Sequence, residues 1–230
     1  MGQYDELKQR VYQANMDLHR KKVVIYNFGN VSAIDREREC VAIKPSGVPY
    51  DDLNAEDMVV LDLNGQVIEG ELKPSSDTQT HLVLYFHFPT IGGVVHTHSP
   101  YAVSWAQAGR KIPVYGTTHA DQTHLDIPCT PLMSDEQIKG DYEHETGLQI
   151  IRTFEHLSYE QVEMVLVGGH GPFTWGVTAE KAVFNAVILE ALAEMALLTE
   201  QINPQAKRLK QSLINKHYQR KHGPNAYYGQ

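Results

Sequence analysis

Two histidines one residue apart, His96 and His98, end an apolar segment that opens with two glycines. Side chains alternate between the faces of a β-strand, so a strand over residues 94–98 would direct both imidazoles to the same side. Burying an unpaired polar group costs about 1–3 kcal/mol, and the glycines and valines before the pair favour a buried strand. The spacing therefore predicts that the two rings share a divalent metal. The alternative is an exposed face of an edge strand.

A third histidine stands in the segment Gly168-Gly169-His170-Gly171, directly after a predicted buried strand over residues 163–167. Such a glycine-rich loop can carry a ring into a cleft, although a purely local role is the alternative. Three neutral histidines and one open coordination position are typical of a catalytic zinc site. We expect these three histidines to hold zinc or another divalent cation, with Asp77 as the nearby acid that tunes or completes the site.

Two similar tetrads, Lys44-Pro45-Ser46-Gly47 and Lys73-Pro74-Ser75-Ser76, each combine a cation, a rigid turn and hydroxyl donors. The second precedes a predicted helix in which Ser76 and Gln79 have the spacing of a capping box, and the free N–H groups of a helix start attract anions. The tetrads therefore predict a phosphate site, and the alternative is two turns and a helix cap. The expected contacts are Lys44, Ser46, Gly47, Ser75 and Ser76, with Gly29 and Asn30 as further loop donors.

Composition narrows the class of protein. With 230 residues, of which 42% are hydrophobic, the chain suffices for one sizeable core, so we expect a single domain over residues 1–230. The formal net charge of −8 argues against nucleic acid as a partner. The most apolar stretch, residues 186–198, is interrupted by two glutamates, so we expect no membrane partner. Two cysteines without a CxxC pattern suit a reduced, cytoplasmic protein.

Periodicity places the candidate residues on both strands and helices. Apolar residues at spacings of three and four predict a helix over residues 4–18, and further helices are predicted over 76–88, 99–109, 142–156, 179–202 and 203–223. Short apolar runs predict strands over 23–26, 31–34, 40–43, 58–63, 66–69, 94–98 and 162–167. Early strands linked by hairpins and later strands alternating with helices predict a three-layer α/β/α fold with a mixed, largely antiparallel central sheet.

The ordered segments of this chain resemble a known enzyme family. The segments are GNVSAIDRE, IKPSGVPY, KPSSDTQTH, GGVVHTHS, AQAG, GTTHAD, IPCT, HGPFTWG and KHGPNAYYGQ. Together they resemble the L-ribulose-5-phosphate 4-epimerase family, which belongs to the wider class II aldolase/adducin group. The resemblance runs from about residue 4 to the last residue.

The resemblance implies roles for individual residues. His96, His98 and His170 match the zinc ligands of that family, and Asp77 matches the acid beside them. Asp121 and Tyr228 match its two catalytic acid/base residues. Positions that match substrate or phosphate contacts, or that are implicated around the site, are Gly29, Asn30, Lys44, Ser46, Gly47, Ser75, Ser76, Thr117, Glu143 and His217. The family is tetrameric with sites between subunits, which implies that Asp121 and Tyr228 serve the metal of a neighbouring subunit.

Two departures from the family pattern lie beside expected site residues. Residues 122–125 read Gln-Thr-His-Leu, where the family usually has an aromatic stretch that contains glycine. This difference directly follows Asp121 and therefore bears on the choice of substrate. Phe28 stands where the family usually has tryptophan before Gly29, which is a milder change.

The activity implied by the resemblance is the epimerisation of L-ribulose 5-phosphate to D-xylulose 5-phosphate at C4. C4 carries no acidic proton because the carbonyl is at C2, so inversion requires retro-aldol cleavage of C3–C4, rotation of the aldehyde fragment and re-addition. The metal would act as a Lewis acid. One proton-transfer group is needed on each face of the aldehyde, and such a group typically contributes about 10²–10⁴-fold.

Two other functions stay open at this stage. A class II sugar-phosphate aldolase would use the same metal and release the aldehyde fragment. A non-catalytic, adducin-like binding module would have lost the histidine set, which is complete here. The pathway, L-arabinose or L-ascorbate catabolism, is not encoded in any residue.

Overall fold

The computed structural model describes residues 2–224 and 226–227. The strands in those residues are β1 (Asn30–Asp35), β2 (Cys40–Ile43), β3 (Val59–Asp62), β4 (Val67–Glu69), β5 (Gly93–His96), β6 (Met164–Leu166) and β7 (Pro172–Gly176). They form one sheet in the order β4-β3-β2-β1-β5-β7-β6, and neighbouring strands pair antiparallel throughout. In the described residues, parallel pairing is limited to an isolated bridge between Cys129 and Leu166.

Helices connect and cover the strands. They are α1 (Asp5–Arg20), α2 (Thr78–His87), α3 (Pro100–Gln107), α4 (Thr117–Ala120), α5 (Asp135–Lys139), α6 (Tyr142–Thr153), α7 (Ala179–Ile202) and α8 (Gln211–His222). Short 3₁₀ turns over Tyr50–Asp52 and Ala55–Asp57 connect β2 to β3.

The helices pack on both faces of the sheet. Val94 of β5 belongs to a buried cluster that contains Leu84 of α2 and Trp105 of α3, whereas the next residue, Val95, belongs to a cluster that contains Leu18 of α1. Successive strand residues point to opposite faces, so the sheet separates two cores. This arrangement confirms the predicted α/β fold with a largely antiparallel sheet between helices.

The register of the central strands brings distant parts of the chain to one end of the sheet. Asn30 at the start of β1 lies opposite His96 at the end of β5. His96 in turn lies opposite Phe173 in β7. The segments that follow β5 and precede β1 and β7 therefore emerge side by side, which is where the candidate site forms.

Helix α7 contains the most apolar stretch of the chain, and by length and composition alone it could span a membrane. In the fold it contacts both cores: Val183 belongs to the cluster that contains α1 residues, and Leu192 to the cluster that contains α2 residues. Burial against two cores accounts for the low number of polar positions in this helix.

The predicted strand over residues 23–26 is wrong. Lys22 and Tyr26 have positive φ angles of 58° and 52°, and the N–H of Phe28 donates to the carbonyl of Ile25 at 2.9 Å. Left-handed residues bend the chain into turns, so this apolar run forms a loop in front of β1. Conversely, β7 was not predicted, because Pro172 and Gly176 flank a run of only three strand-forming residues.

Several helix boundaries also differ from the predictions. The last helix begins at Gln211, and residues 203–210 are not helical. The short helices α4 and α5 were not predicted. The capping box predicted at Ser76 is wrong, since α2 begins at Thr78 and Ser76 is exposed. The carbonyl of Ser75 instead accepts hydrogen bonds from Thr78, at 3.2 Å from its N–H and 2.6 Å from its hydroxyl.

Close packing of β5 against α7 gives the first testable prediction. A Cβ atom on Gly93 would overlap the Cα of Ala179 and lie 2.6 Å from its main-chain nitrogen. Backbone atoms cannot move aside as a flexible side chain does, so we expect Gly93→Ala to lower the free energy of unfolding by about 1–3 kcal/mol. Urea denaturation followed by circular dichroism measures the change.

Gly116→Ala is the matched control, because a Cβ there meets no atom of the described residues within 4 Å. We expect it to change the free energy of unfolding by less than about 1 kcal/mol. Equal stabilities of the two variants would contradict the contact between β5 and α7.

Candidate metal centre

Three histidine rings converge at the end of the sheet. The potential ligand atoms of His96, His98 and His170 all lie within 4.8 Å of one another. Nε2 of His96 is 3.0 Å from Nε2 of His98, and the ring of His170 is centred 4.7 Å from the ring of His96. The set predicted from the sequence is therefore a spatial cluster in the described part of the chain.

The main chain fixes which nitrogen of His96 faces its neighbours. Nδ1 of His96 lies 2.9 Å from the carbonyl oxygen of Pro172 and must donate its proton there, because a carbonyl oxygen only accepts. The other nitrogen, Nε2, then carries a lone pair directed at the cluster. The ring of His96 also stacks on that of Phe173, with centroids 4.3 Å apart.

His98 lies two residues beyond the end of β5, so the predicted strand over residues 94–98 ends earlier than expected. The segment that carries it leads into α3, whose first N–H groups are capped from α7. Both carboxylate oxygens of Glu190 accept hydrogen bonds of 2.9 Å, one from the N–H of Tyr101 and one from that of Ala102. A glutamate that interrupts the apolar pattern of α7 thus anchors the helix that follows His98.

The glycines around His170 allow its loop to approach His96 closely. Gly169 has a φ of 73°, and a Cβ on Gly171 would lie 3.0 Å from the carbonyl oxygen of Thr97 and 3.5 Å from Cε1 of His96. Nδ1 of His170 is 3.4 Å from the hydroxyl of Tyr142. Tyr142 therefore stands behind His170 in the way that the Pro172 carbonyl stands behind His96.

Burial favours the neutral form of two of the rings, those of His98 and His170. It lowers the pKa of His170 to about 4 and also lowers the pKa of His98, with the neighbouring His96 acting in the same direction. Neutral imidazole nitrogens are the form that binds a metal. Three converging imidazoles, two of which have Nδ1 beside a protein oxygen, fit a divalent cation such as zinc.

Asp77 lies in the same cavity but outside the three-histidine group. Its Oδ2 accepts a 2.6 Å hydrogen bond from the amide of Asn30, which also donates to Ser75 Oγ at 3.0 Å. Burial acts to raise the pKa of Asp77, but His96, His81 and the Asn30 hydrogen bond outweigh it and hold the pKa below the ordinary value. Oδ1 of Asn30 is buried without a partner among the described residues, so it is available to a ligand.

The cavity has a volume of about 340 Å³ and joins the histidine cluster to the two Lys-Pro-Ser tetrads. Predicted site residues that line it are Gly29, Asn30, Lys44, Ser46, Gly47, Ser75, Ser76, Asp77, His96, His98, Glu143 and His170. Most residues that line the cavity were thus predicted from the sequence. Lining residues that were not predicted include Asn27, Phe28 and Tyr142.

The two tetrads pair with each other. Ser46 N–H donates to the carbonyl of Lys73 at 2.9 Å, and Ser75 N–H donates to that of Lys44 at 3.1 Å. Lys44 is buried with its Nζ 2.7 Å from the carbonyl oxygen of Val48, and burial lowers the pKa of its ammonium to about 8. A cation held by main-chain oxygens rather than by a carboxylate keeps its charge available to an anion.

Three predicted residues lie elsewhere. Thr117 lies in α4, Asp121 directly follows that helix and His217 lies in α8. Among the described residues none of them lines the cavity of the histidine cluster. Asp121 and His217 contact each other, with Nδ1 of His217 3.0 Å from Oδ1 of Asp121. Tyr228 lies outside the described residues.

Tyr142 had no signal of its own in the sequence. It precedes Glu143 in the first turn of α6, and that turn is held over the cavity by packing of α6 against α2. Thr80 of α2 donates to the carbonyl of Glu143 at 2.6 Å, and a Cβ on Gly147 would lie 2.6 Å from Cβ of Val83. Such contacts between distant segments could not be derived from local spacing.

Comparison with known proteins places the chain in a family. The family model described as "Class II Aldolase and Adducin N-terminal domain" matches residues 9–197. Solved structures share the fold. L-Fuculose 1-phosphate aldolase aligns with a TM-score of 0.81 and 24% identity over 94% of this chain and 95% of that chain.

Two further structures are similar. YgbL from Klebsiella pneumoniae aligns with a TM-score of 0.74 and 21% identity over 94% of this chain and 99% of that chain. L-Fuculose-1-phosphate aldolase from Thermus thermophilus aligns with a TM-score of 0.68 and 21% identity over 88% of this chain and 98% of that chain. At these identities the likeness establishes the fold.

The hydroxyl behind His170 gives a prediction about metal affinity. Partners of this kind fix the orientation of a ligating imidazole, and their loss typically weakens metal binding by about 10–100-fold. At 3.4 Å the contact is long, so we expect Tyr142→Phe to weaken zinc binding by about 10-fold. Competition titration against a chromogenic chelator measures the affinity.

Tyr115→Phe is the matched control, since it removes a tyrosine hydroxyl that donates to Glu200 at 2.7 Å, in a part of the fold that does not line this cavity. We expect this control to bind zinc as the unaltered protein does. Equal zinc affinity of the Tyr142→Phe protein would show that the hydroxyl does not orient His170.

Proposed function

The chain belongs to the class II aldolase and adducin family, and on that basis we propose that it is a metal-dependent isomerase that interconverts L-ribulose 5-phosphate and D-xylulose 5-phosphate. The observation that carries the proposal is one cavity with two kinds of wall. The imidazoles of His96, His98 and His170 stand at one end, and the paired Lys-Pro-Ser tetrads stand at the other. A ketopentose phosphate carries matching groups, with its ketone and hydroxyl oxygens at one end and its phosphate at the other.

The metal ligands in this proposal are His96, His98 and His170, with Asp77 as the adjoining acid. The metal is zinc, the ion that a three-histidine set with an open position typically holds. A bound divalent cation supplies Lewis-acid stabilisation of the negative charge that C3–C4 cleavage leaves on the ketone fragment.

The phosphate end keeps the reaction intramolecular. Cleavage of C3–C4 yields glycolaldehyde phosphate. Its aldehyde group must rotate to present the opposite face without leaving the cavity. Lys44 offers its ammonium group to the phosphate, and Ser46 and Ser75 offer hydroxyls. Other contacts proposed around the substrate are Gly29, Asn30, Gly47, Ser76, Thr117, Glu143 and His217.

Inversion requires a proton acceptor on one face of the aldehyde and a proton donor on the other. We assign these roles to Asp121 and Tyr228. The proton of the C4 hydroxyl passes to one of them as C3–C4 breaks, and the other protonates the aldehyde oxygen as C3–C4 forms on the opposite face. Asp121 does not line the cavity of its own protomer, so the proposal includes a homotetramer in which a neighbouring subunit brings these two groups to the metal.

The proposed enzyme is a single domain that works in the cytoplasm on a small sugar phosphate in pentose catabolism. A class II aldolase is the rival, because three-histidine cavities of this kind suit C–C cleavage in general and similar structures include L-fuculose 1-phosphate aldolase. The motifs around Asp121 and Tyr228 favour the epimerase, since only two-faced proton transfer requires both groups.

A direct assay tests the activity. We expect purified, zinc-loaded protein to convert L-ribulose 5-phosphate to D-xylulose 5-phosphate, as detected by a coupled transketolase assay, and to lose this activity in chelator. Accumulation of free glycolaldehyde phosphate without epimer would identify an aldolase. Zinc binding with neither product from any sugar phosphate would support a binding module.

Variants of the two proton-transfer residues test the mechanism. We expect Asp121→Asn and Tyr228→Phe each to lower turnover by about 10²–10⁴-fold, because each removes one general acid/base. Zinc content should stay at one per chain in both variants, as neither side chain is a proposed ligand. Loss of zinc in Asp121→Asn, or full turnover in either variant, would contradict the assignment.

A further inference from the structure

Asp121 is held by three side chains of one helix. Nε of Arg220 lies 3.0 Å from Oδ1 of Asp121 and Nη2 lies 2.7 Å from Oδ2, while Nδ1 of His217 lies 3.0 Å from Oδ1. Nε2 of His222 lies 2.9 Å from the main-chain oxygen of Asp121. We propose that Arg220 is a positioning residue that fixes Asp121 as the proton acceptor of the reaction, with Oδ2 as the accepting atom.

The hydrogen bonds distinguish the two carboxylate oxygens. An ionised carboxylate offers about four acceptor positions, two on each oxygen. Among the described residues, Oδ1 accepts from both His217 and Arg220, so both of its positions are filled. In that same part of the chain Oδ2 accepts from Arg220 alone, which leaves one position on this oxygen for a substrate hydroxyl.

The two parallel hydrogen bonds from the Arg220 guanidinium fix the orientation of the Asp121 carboxylate as well as its distance from Arg220. A planar fork sets the plane of the carboxylate as well as its position, which a single ammonium cannot do. Arg220 and His217 are three residues apart on α8 and therefore lie on the same helix face. That face is anchored, because Ile214 of α8 is buried with Val114 and Ala120 beside Asp121.

The charged groups around Asp121 also support its role as the proton acceptor. In the described residues, the titratable and charged groups that contact Asp121 all come from α8, namely His217, Arg220 and, through the main-chain oxygen, His222. Burial acts to raise the pKa of Asp121, but the hydrogen bonds from Arg220 and His217 outweigh it and hold the pKa below the ordinary value. At neutral pH Asp121 therefore begins the cycle without a proton, and Tyr228 is the proposed proton donor.

The segment that departs from the family pattern strengthens this arrangement. The ring of His124 packs on Tyr218 with centroids 4.5 Å apart, and Tyr218 stacks on His222 at 4.5 Å. Residues 122–125 thus contact the same helix that supplies Arg220. The role assigned to Arg220 rests on the proposed function, because it acts only through Asp121.

In the resulting step, the proton of the substrate C4 hydroxyl moves to Oδ2 of Asp121. The electrons of that O–H bond form the aldehyde carbonyl, and those of the C3–C4 bond stay with the ketone fragment. On re-addition Tyr228 gives its proton to the aldehyde oxygen. Exchange with solvent then returns Asp121 and Tyr228 to their starting protonation states.

Two substitutions of Arg220 separate the geometric restraint that its guanidinium places on Asp121 from the effect of its positive charge. Arg220→Gln removes both, so we expect kcat to fall by about 10–100-fold and the acid limb of the kcat/KM profile to move about one pH unit higher. The shift has this sign because the active form is the carboxylate and its pKa rises once the guanidinium is gone. Arg220→Lys restores the charge without the fork, so we expect the profile to return towards that of the unaltered enzyme while kcat stays reduced.

Arg208→Lys is the matched control. Arg208 also donates to an aspartate, with 2.8 Å between its Nε and Oδ1 of Asp126, five residues after Asp121. We expect this variant to keep both kcat and the position of the acid limb. Zinc content and circular dichroism of all variants report whether the fold and metal site are intact, and the Lys variant serves if the Gln variant does not fold.

The outcomes separate this inference from the proposed function. Full turnover in Asp121→Asn would overturn the assignment of Asp121 and with it the proposed mechanism. A large loss in Asp121→Asn together with unaltered kcat and pH profile in both Arg220 variants would overturn the role of Arg220 alone.

Discussion

The mutual approach of three imidazole nitrogens, from one buried ring and two partly buried rings, is the interaction on which the site depends. Two of these nitrogens, on His96 and His98, lie only 3.0 Å apart. Burial lowers the pKa of His98 and His170 and so keeps both rings neutral. Imidazole nitrogens that lie this close together suit a divalent cation between them, since a cation accepts the lone pairs of neutral rings.

The three histidines are brought together by main-chain segments that lie close to one another, rather than by side-chain packing. Gly171 brings the late loop against the main chain of Thr97, where a Cβ would be crowded at 3.0 Å. The carbonyl of Pro172 accepts the proton of His96, so the same loop that delivers His170 also orients its neighbour. On the other side, Glu190 of α7 holds the start of α3 and thereby the segment that carries His98. The metal end is therefore built from strand ends and loops that rigid helices hold in place.

Two carboxylates of this protein are ionised for different reasons. Asp77 is neighboured by histidines and receives a 2.6 Å hydrogen bond from Asn30, next to the metal cluster. Asp121 is clamped by Arg220 and His217 on α8, away from that cluster. One carboxylate thus lines the cavity, and the other is an ion-paired group in a separate part of the protomer. Their separation within one protomer is the physical basis for proposing a site shared between subunits.

The sequence alone identified the three-histidine cluster and most of the cavity wall. His96, His98 and His170 and the two Lys-Pro-Ser tetrads were recognisable because ligand type, glycine content and spacing are local properties. The layered α/β fold followed from periodicity in the same way. The strand predicted over residues 23–26 is wrong, because apolar composition does not reveal the left-handed turn at Tyr26.

Only the tertiary structure decided which partners these residues meet. The contacts of Asn30 with Asp77, Tyr142 with His170 and Arg220 with Asp121 join segments far apart in the chain. They are set by strand register and by the packing of α6 on α2 and α8 on α4. Local periodicity encodes which face of an element is buried, but the residue it meets there depends on how the whole chain closes.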